Sequence, residues 1–377
     1  MDPIYVFSAP GRTEIAGNHT DHQHGCVLAG AVNLESVAKV SLRTDRIIRV
    51  CSEGYAPVEI AVDDLAMRPE ERNTTTALVR GVAAAFARRG AVLGGFEASV
   101  TSTVLPGSGL SSSASFEVLL GTIINELFFH RQLSPVDIAI IGQWAENAYF
   151  GKPCGLMDQA ASAVGGLVFM DFADPQKPVV ERVDFDFSKA GHVLCIVDSG
   201  ADHADLTDEY AAIPGELREL CAHFGAEVLR EVPEEEFLAR LPELRGQVPD
   251  RAILRAIHFY QENKRVRAQV KALNDGDFGR FLQLVRQSGR SSWMYLQNIV
   301  PTGSVAHQDM AVALAMCDTL LGDRGAYRVH GGGFAGTVQA FVPADLLEQF
   351  REGIEAVLGK GSCHVLSIRD AGGVRLS

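Results

Sequence analysis

The chain has 377 residues, 47% of them hydrophobic, which predicts a folded globular protein of two domains. Its formal net charge of −13 argues against a nucleic-acid or anionic-membrane partner, because either would need a basic face. A nucleotide needs only a local anion site and stays allowed. We expect small-molecule partners and a monomer or weak homo-oligomer.

The cysteines and the N-terminus bear on the compartment. The seven cysteines are scattered without CxxC spacing, so we expect a reducing environment and neither a zinc site nor a disulfide framework. The first residues lack the pattern of a signal peptide, and no apolar run is long enough to span a membrane. These features predict a cytoplasmic protein.

The first half of the chain reads as alternating strands and helices. Residues 8–25 are polar and rich in glycine, which predicts a ligand-holding loop and excludes a core strand. Alternating patterns predict strands at 27–50 and 93–105, and helical spacing predicts helices at 74–89 and 112–129. A helix beginning at Ser134 and running through 148, a short helix at 158–164 and a strand at 166–172 follow.

The second half is mainly helical. A strand is predicted at 193–199, and later strands at 326–330, 336–342 and 364–369. Helices are predicted at 205–223, 234–241, 250–273, 277–286 and 305–321. Proline and charged residues near 174–190 predict the crossing between an N-terminal domain, 1–185, and a C-terminal domain, 186–377. The fold class is α+β.

Residues 106–115, PGSGLSSSAS, predict a phosphate loop. Glycines there allow backbone angles closed to other residues, and a helix that follows directly offers free N–H groups and a favourable dipole. Hydroxyls can reach oxyanions or a magnesium ion. The alternative is an ordinary helix cap, and no Walker A motif is present. The candidate nucleotide-binding residues are Gly107, Gly109, Ser111, Ser112 and Ser113.

Three segments together resemble a known family. Residues 8–25, residues 106–115 and the run VHGGGFAG at 329–336 resemble the three motifs of the GHMP small-molecule kinases, and the first points to the galactokinase family. The resemblance implies a ribosomal-protein-S5-like N-terminal domain and a ferredoxin-like C-terminal domain. It also implies an ATP-dependent sugar 1-kinase that uses Mg²⁺ and forms galactose 1-phosphate.

The resemblance also assigns the chemical residues. Asp158, in the run GKPCGLMDQAAS, alone would be a helix-capping or functional acid, and the family pattern makes it the catalytic base. Arg12 would keep Asp158 ionised and stabilise phosphoryl charge, whereas its alternative role is a structural salt bridge. Glu146 and Ser113 would bind magnesium. Without the resemblance, Glu146 would be interpreted as a residue on a solvated helix face.

The sugar loop departs from the family pattern in one respect. In GRTEIAGNHTDH, at 11–22, the family's Asn and Glu have changed places, giving Glu14 and Asn18. Asp21 would bind the C3 and C4 hydroxyls, whereas Asn18 and His19 would face C6, and Tyr210 would contact the sugar. A neutral Asn18 would no longer repel a C6 carboxylate, so galacturonate is an alternative substrate; the other interpretation is a compensating exchange.

Two other functions stay open at this stage. A catalytically silent sugar sensor on the same fold would be expected to lose part of the set formed by Asp158, Arg12 and Glu146, and the set is intact. A nucleotide-binding module without a sugar is disfavoured by the polar loop. The run RAIHFYQENKR at 255–265 resembles a family helix and is expected to be structural. Residues 73–80 replace a segment that is aromatic in the family, so the residues of the adenine pocket and the preference for ATP stay unassigned.

Overall fold

The computed structural model describes residues 3–104, 109–201 and 206–377. The chain divides into two compact units. The first comprises Met1–Thr13, Gly30–Val168 and Ile368–Ser377, and the second comprises Glu14–Ala29 and Phe169–Ser367. The predicted domains, 1–185 and 186–377, are contiguous along the chain and these units are not, so that domain assignment stays a prediction.

Up to residue 171 the chain forms six strands and four α-helices among its described residues. They are β1 (Ile4–Ala16), β2 (Cys26–Arg43), β3 (Ile47–Ser52), β4 (Val58–Ala61), α1 (Thr75–Arg88), β5 (Gly95–Ser102), α2 (Ser112–Phe128), α3 (Pro135–Trp144), α4 (Met157–Val164) and β6 (Leu167–Asp171). The strand order β12-β1-β2-β5-β3-β4 includes the C-terminal strand β12 (Val374–Arg375), and β3 pairs with β5 in parallel. Helices α1 to α4 pack on one another.

Among the later elements, one strand, Val179–Val183, pairs with β6 in the first sheet, and the others build a second, four-stranded sheet and a set of helices. They are β7 (Val179–Val183), β8 (His192–Asp198), α5 (Thr207–Ala222), α6 (Glu234–Leu244), α7 (Asp250–Asn274), α8 (Phe278–Ser291), α9 (Asp309–Leu321), β9 (Ala326–His330), β10 (Thr337–Pro343), α10 (Leu347–Leu358) and β11 (Cys363–Leu366). The sheet order is β11-β8-β10-β9, and its pairs are antiparallel.

Two apolar clusters hold the second unit together. The first joins the sheet to α9 and α10 through residues such as Val197, Met310 and Val338. The second joins α5, α6 and α7 through residues such as Leu217 and Phe237. None of the helices in the described ranges combines the length and the apolar character that crossing a membrane demands. The predicted α+β class is confirmed.

One predicted element is wrong in kind. Residues 8–25 were predicted as a loop, but β1 runs to Ala16, and only residues 17–25 form the turn region. The polar residue Glu14 is buried within this strand. A buried strand tolerates a polar side chain when that side chain has a partner, and Glu14 is paired with Arg328. The density of polar residues alone therefore did not exclude a core strand.

Most other elements are confirmed, with several differences. The single strand predicted at 27–50 is two strands, β2 and β3, and the short strands β4, β7 and β12 were not predicted. The helix predicted through residue 148 is α-helical only to Trp144 and continues as a π-helical turn, Ala145–Phe150. Helix α10 was not predicted, although Leu347, Phe350 and Ile354 follow helical spacing. The π-helical turn matters for the site because it carries Glu146.

Candidate active site

A bidentate ion pair joins the two predicted catalytic residues within the first unit. Arg12, in β1, donates from Nε to Oδ1 of Asp158 at 2.6 Å and from Nη2 to Oδ2 at 2.5 Å. Ser111 donates its hydroxyl to the same Oδ2 at 2.6 Å. The Asp158 side chain nevertheless keeps 30% of its surface exposed. The carboxylate is thus fixed in orientation and still accessible to a ligand.

Electrostatics keep this carboxylate ionised. Burial by itself would raise the pKa of Asp158, but the charge and hydrogen bonds of Arg12 and the Ser111 hydroxyl outweigh it and lower the pKa. Asp158 also lies in the first turn of α4, where the helix dipole favours a negative charge. At neutral pH Asp158 is therefore a proton acceptor held beside a fixed positive charge.

The backbone just before α2 contains two residues in the left-handed conformation. Gly109 and Ser111 both have positive φ, 72° and 57°, and Ser112 begins the helix. A left-handed conformation is rare for serine, and here it accompanies the hydrogen bond from Ser111 to Asp158. Arg12 also donates to the Gly109 carbonyl. Gly107 lies outside the described residues.

The two side chains predicted to bind magnesium meet at the start of α2. The Ser113 hydroxyl lies 3.5 Å from Oε1 of Glu146, and the Lys152 ammonium lies 3.5 Å from the same oxygen. No cluster of three or more His, Cys, Asp or Glu side chains with metal-binding geometry occurs in the described part of the chain. Two oxygen donors suit Mg²⁺, which usually keeps waters and phosphate oxygens as its other ligands.

Two residues near this pair were missed in the sequence. Gln159 donates its amide to both Glu117 and Glu146, at 2.9 Å each. Glu117 is fully buried in α2, and burial, followed by the charge of Glu146, raises its pKa. The available signal was an acid at position 117 among apolar residues of α2, but nothing in the sequence pointed to its partner.

A pocket of about 380 Å³ lies in the first unit beside Ser112 and Ser113. Its walls include the apolar side chains of Leu78, Val104 and Phe116. This volume falls within the usual range for small-molecule sites, about 300–1,000 Å³. The segment at 73–80 departs from the family pattern, so the sequence did not identify an adenine pocket. This segment contributes Thr75 and Leu78 to the wall of the cavity.

In the second unit, the sugar loop is tied to the triple-glycine turn at 331–333. The Asn18 amide donates to the Gly331 carbonyl at 2.6 Å, and Nε2 of His19 lies 3.0 Å from the Gly332 carbonyl. The Tyr210 hydroxyl donates to the Gly333 carbonyl at 3.0 Å. Three successive glycine carbonyls therefore bind three of the predicted sugar-recognition side chains.

The Asn18 side chain is engaged on every side by protein groups. Its Oδ1 accepts from Asn298 at 2.9 Å and from Ser292 at 3.2 Å. Its Nδ2 donates to Gly331, and Oε1 of Glu14 lies 3.4 Å away. The residue is fully buried. This geometry makes Asn18 a residue that holds the turn, and its predicted contact with the sugar stays a prediction.

His19 and His22 form a row of hydrogen bonds in which the donor and acceptor of each bond can be assigned. Because a carbonyl only accepts, Nε2 of His19 carries the hydrogen donated to Gly332. In neutral His19, Nδ1 then accepts from Nε2 of His22, 3.1 Å away. Burial, followed by the charges of His19 and His258, lowers the pKa of His22 to about 3. His22 is therefore neutral at physiological pH, and the chain can keep this tautomeric order.

Helix α7 anchors the backbone of the sugar loop. His258 donates from Nε2 to the Asn18 carbonyl at 2.9 Å, and Glu262 accepts from the Gly17 N–H at 3.4 Å. Asn263 accepts from the Cys26 N–H at 2.7 Å. These contacts support the structural role expected for residues 255–265. Asp21 lies in a short 3₁₀ turn, Asp21–Gln23, and is half-buried.

The exchanged residue Glu14 has a buried counter-ion. Nη2 of Arg328 lies 2.7 Å from Oε1 of Glu14, and the Arg328 side chain is fully buried. The same guanidinium also donates to the carbonyls of Glu14 and Val329, at 2.8 and 2.9 Å. Backbone carbonyls thus accept further hydrogen bonds from the Arg328 guanidinium, as a buried charge requires.

Comparisons with known proteins bear on both units. The family described as GHMP kinases N terminal domain matches residues 77–166, the range that holds Ser113, Glu146 and Asp158. The family described as galactokinase galactose-binding signature matches residues 1–42, the range that holds the sugar loop. These matches point to the GHMP class of kinases.

Whole-chain similarity narrows the class. The chain is 34% identical over 359 residues to a galactokinase of Streptomyces coelicolor, covering 94% of this chain and 88% of that protein. It matches the crystal structure of Lactococcus lactis galactokinase complexed with galactose with a TM-score of 0.83 and 25% identity, over 99% of this chain and 95% of that one. The chain belongs to the galactokinase family of the GHMP kinases.

A more distant structure shares the fold alone. The Methanococcus jannaschii mevalonate kinase matches with a TM-score of 0.68 at 13% identity, covering 98% of each chain. Similarity at this level extends to the architecture, which the class uses with different substrates.

Proposed function

We propose that this protein is an ATP-dependent sugar kinase that phosphorylates the C1 hydroxyl of galactose and yields galactose 1-phosphate. The observation that carries the proposal is the Arg12–Asp158–Ser111 cluster beside the start of α2 in a chain of the galactokinase family. A silent sensor would have no use for an ionised, oriented and partly exposed carboxylate at this place.

The chemistry assigned to the cluster is modest. Phosphoryl transfer needs a positioned hydroxyl, an in-line phosphate and neutralised charge, with little covalent help from the protein. Asp158 orients the C1 hydroxyl and accepts its proton as the new O–P bond forms. Arg12 holds Asp158 through two hydrogen bonds, and its fixed charge stabilises the charge on the phosphoryl group.

The nucleotide is assigned to the start of α2. Free N–H groups and the dipole there favour the phosphates, and the adjoining pocket of about 380 Å³ takes the base of ATP. Ser113 and Glu146 would hold Mg²⁺, whose oxygen preference their hydroxyl and carboxylate match. When bound, the cation supplies charge neutralisation at the phosphates.

Sugar recognition is assigned to the second unit. Asp21 and Tyr210 are proposed as contacts to galactose, with His19 and Asn18 completing the loop. The Asn18 amide is already bonded to Gly331, Asn298 and Ser292, so the structure adds no support for galacturonate. We propose a cytoplasmic enzyme that is a monomer or weak homo-oligomer.

The test is a sugar panel assayed with MgATP. Galactose and galacturonate are supplied in parallel, ADP release is measured, and ³¹P NMR determines whether the phosphate is on C1. We expect galactose to give a C1 phosphate ester and galacturonate to give little turnover. An enzyme that releases no ADP with any sugar, while still binding galactose, would instead be the sensor. Asp158→Asn serves as the inactive control.

A further inference from the structure

A buried chain of three polar side chains lies behind the candidate magnesium site. The Gln159 amide nitrogen is 2.9 Å from Oε2 of Glu117 and 2.9 Å from Oε2 of Glu146. An amide nitrogen carries two hydrogens, so each carboxyl group receives one. All three side chains are buried. The geometry is a carboxyl–amide–carboxyl bridge in which one amide serves two acids.

The surrounding helices leave room for this bridge. Glu117 comes from α2, Glu146 from the π-helical turn and Gln159 from α4. A Cβ atom at Gly142, in α3, would lie 3.1 Å from Oε2 of Glu117 and 3.2 Å from Cγ of Gln159. Those contacts are tighter than ordinary packing, so a side chain at position 142 would press on both Glu117 and Gln159.

The bridge distinguishes the two oxygens of Glu146. Oε2 accepts from Gln159, whereas Oε1 faces the Ser113 hydroxyl and the Lys152 ammonium, each 3.5 Å away. A carboxylate with one oxygen fixed can turn only the other toward a cation. Hydrogen-bonding partners behind a metal ligand commonly set its orientation and contribute strongly to metal affinity.

Charge supports the same arrangement. Two ionised carboxylates joined by one amide would repel each other inside the protein. Burial, and then the charge of Glu146, raises the pKa of Glu117, which is the direction that reduces this repulsion. The Gln159 amide nitrogen lies between the two carboxyl groups and donates to both.

We propose that Gln159 and Glu117 are positioning residues of the magnesium site: Glu117 holds the Gln159 amide, and that amide holds Glu146 so that Oε1 faces the cation. This inference rests on the proposed role of Glu146 as a magnesium ligand. Gln159 directly follows Asp158 in the first turn of α4. One helical turn therefore orients the catalytic carboxylate on one side and the metal ligand on the other.

The experiment measures metal binding without turnover. Mn²⁺ is titrated into the full-length protein saturated with ADP, and free Mn²⁺ is followed by electron paramagnetic resonance. Gln159→Met removes both donors at similar length, and we expect it to weaken Mn²⁺ binding by about tenfold or more. Affinity for ADP in the presence of EDTA and the KM for galactose should stay unchanged.

Two substitutions at Glu117 provide the matched pair. Glu117→Gln keeps a carbonyl oxygen that can accept from Gln159, so Mn²⁺ affinity should stay within about twofold of the wild type, against the tenfold or larger loss usual when such a partner is removed. Glu117→Met removes the acceptor and should weaken Mn²⁺ binding. If Gln159→Met does not fold, the contrast between these two variants decides the proposal.

The outcomes are separable. Wild-type Mn²⁺ affinity in Gln159→Met or Glu117→Met overturns the proposal, as does a parallel loss of metal-free ADP binding, which would indicate general structural damage. Glu146→Gln tests the underlying assignment. If it leaves Mn²⁺ affinity unchanged, Glu146 is not a ligand and the metal part of the proposed function fails. If it weakens Mn²⁺ binding while the Gln159 and Glu117 variants do not, only the positioning inference fails.

Discussion

Replacing Asn18 by aspartate tests which of two roles Asn18 has: holding the glycine turn or recognising the sugar. The change preserves shape but removes the donor to the Gly331 carbonyl, 2.6 Å away, and puts a carboxylate where Oε1 of Glu14 lies at 3.4 Å. A buried carbonyl left without its donor costs about 1–3 kcal/mol, and this is an upper bound here because the contact between Asn18 and Gly331 is partly buried. Two charges at that separation repel by about 5 kcal/mol at an effective dielectric constant near 20, before Arg328 offsets part of this.

Protonation limits the penalty and makes it depend on pH. Neutralising a carboxylic acid costs about 1.4 kcal/mol for each pH unit above its ordinary pKa near 3.9. The loss of unfolding free energy in Asn18→Asp is therefore at most about 5 kcal/mol at pH 7.5 and about 2 kcal/mol at pH 5.5, because the protonated acid can again donate to Gly331. The variant should approach wild-type stability as the pH falls.

The assay is thermal unfolding of wild type and Asn18→Asp at both pH values, with kcat/KM for galactose measured alongside. Asn274→Asp, at the exposed end of α7, gives the same change of charge and should unfold like the wild type. We expect Asn18→Asp to unfold several degrees lower at pH 7.5 and to recover at pH 5.5. Wild-type unfolding at both pH values, together with altered sugar preference, would show that the amide faces the ligand and refute this reasoning.

Four further predictions follow from the contacts. Asp158→Asn should reduce kcat by about 10²–10⁴-fold, with nucleotide and galactose binding retained in calorimetric titrations. The pKa of Asp158 is lowered in the protein because Arg12 and Ser111 outweigh burial, so kcat/KM should persist into acid and fall as the pH drops through that lowered pKa; in Arg12→Gln the fall should occur at higher pH. Ser113→Ala should raise the magnesium concentration that gives half-maximal rate more than it changes the KM for galactose. Glu14→Gln should lower the unfolding free energy by about 3–5 kcal/mol, because it leaves the buried charge of Arg328 without its carboxylate.

Each of these has a control or an opposing result. Near wild-type turnover in Asp158→Asn would remove that residue from the chemistry, and identical pH profiles would deny Arg12 its electrostatic role. Overlapping magnesium titrations would refute the ligand assignment of Ser113. Glu348→Gln breaks an exposed ion pair with Arg351 and should leave unfolding unchanged, so a similar result for Glu14→Gln would mean that Arg328 is satisfied by carbonyls alone.

Local patterns in the sequence predicted most helices and strands, because their apolar spacing is strong and their caps are local. The failure at β1 has a physical cause: Glu14 is buried against Arg328, more than three hundred positions away, and no local pattern contains that partner. The π-helical turn at Ala145–Phe150 was not predicted because its residues have the pattern of an ordinary continuation of α3.

The candidate site shows the same division. Glycines and serines of the phosphate loop, Arg12 and Asp158 were recognisable from motifs, and the structure joins Arg12, Asp158 and Ser111 by hydrogen bonds. The bridge through Gln159 could not be predicted, because it depends on how three helices meet. The engagement of Asn18 with a glycine carbonyl likewise depends on a turn far along the chain.

The pairing of Glu14 with Arg328 constrains how this sugar loop could have diverged from the arrangement typical of its family. If Glu14 changes to asparagine first, the buried guanidinium of Arg328 loses its counter-ion. If Asn18 changes to glutamate first, two carboxylates lie close together. Either single step crosses a less stable intermediate. The two loop arrangements are therefore separated by an evolutionary barrier, and passage between them requires paired mutations or a prior change on strand β9. The loop and strand β9 are thus coupled through one buried ion pair.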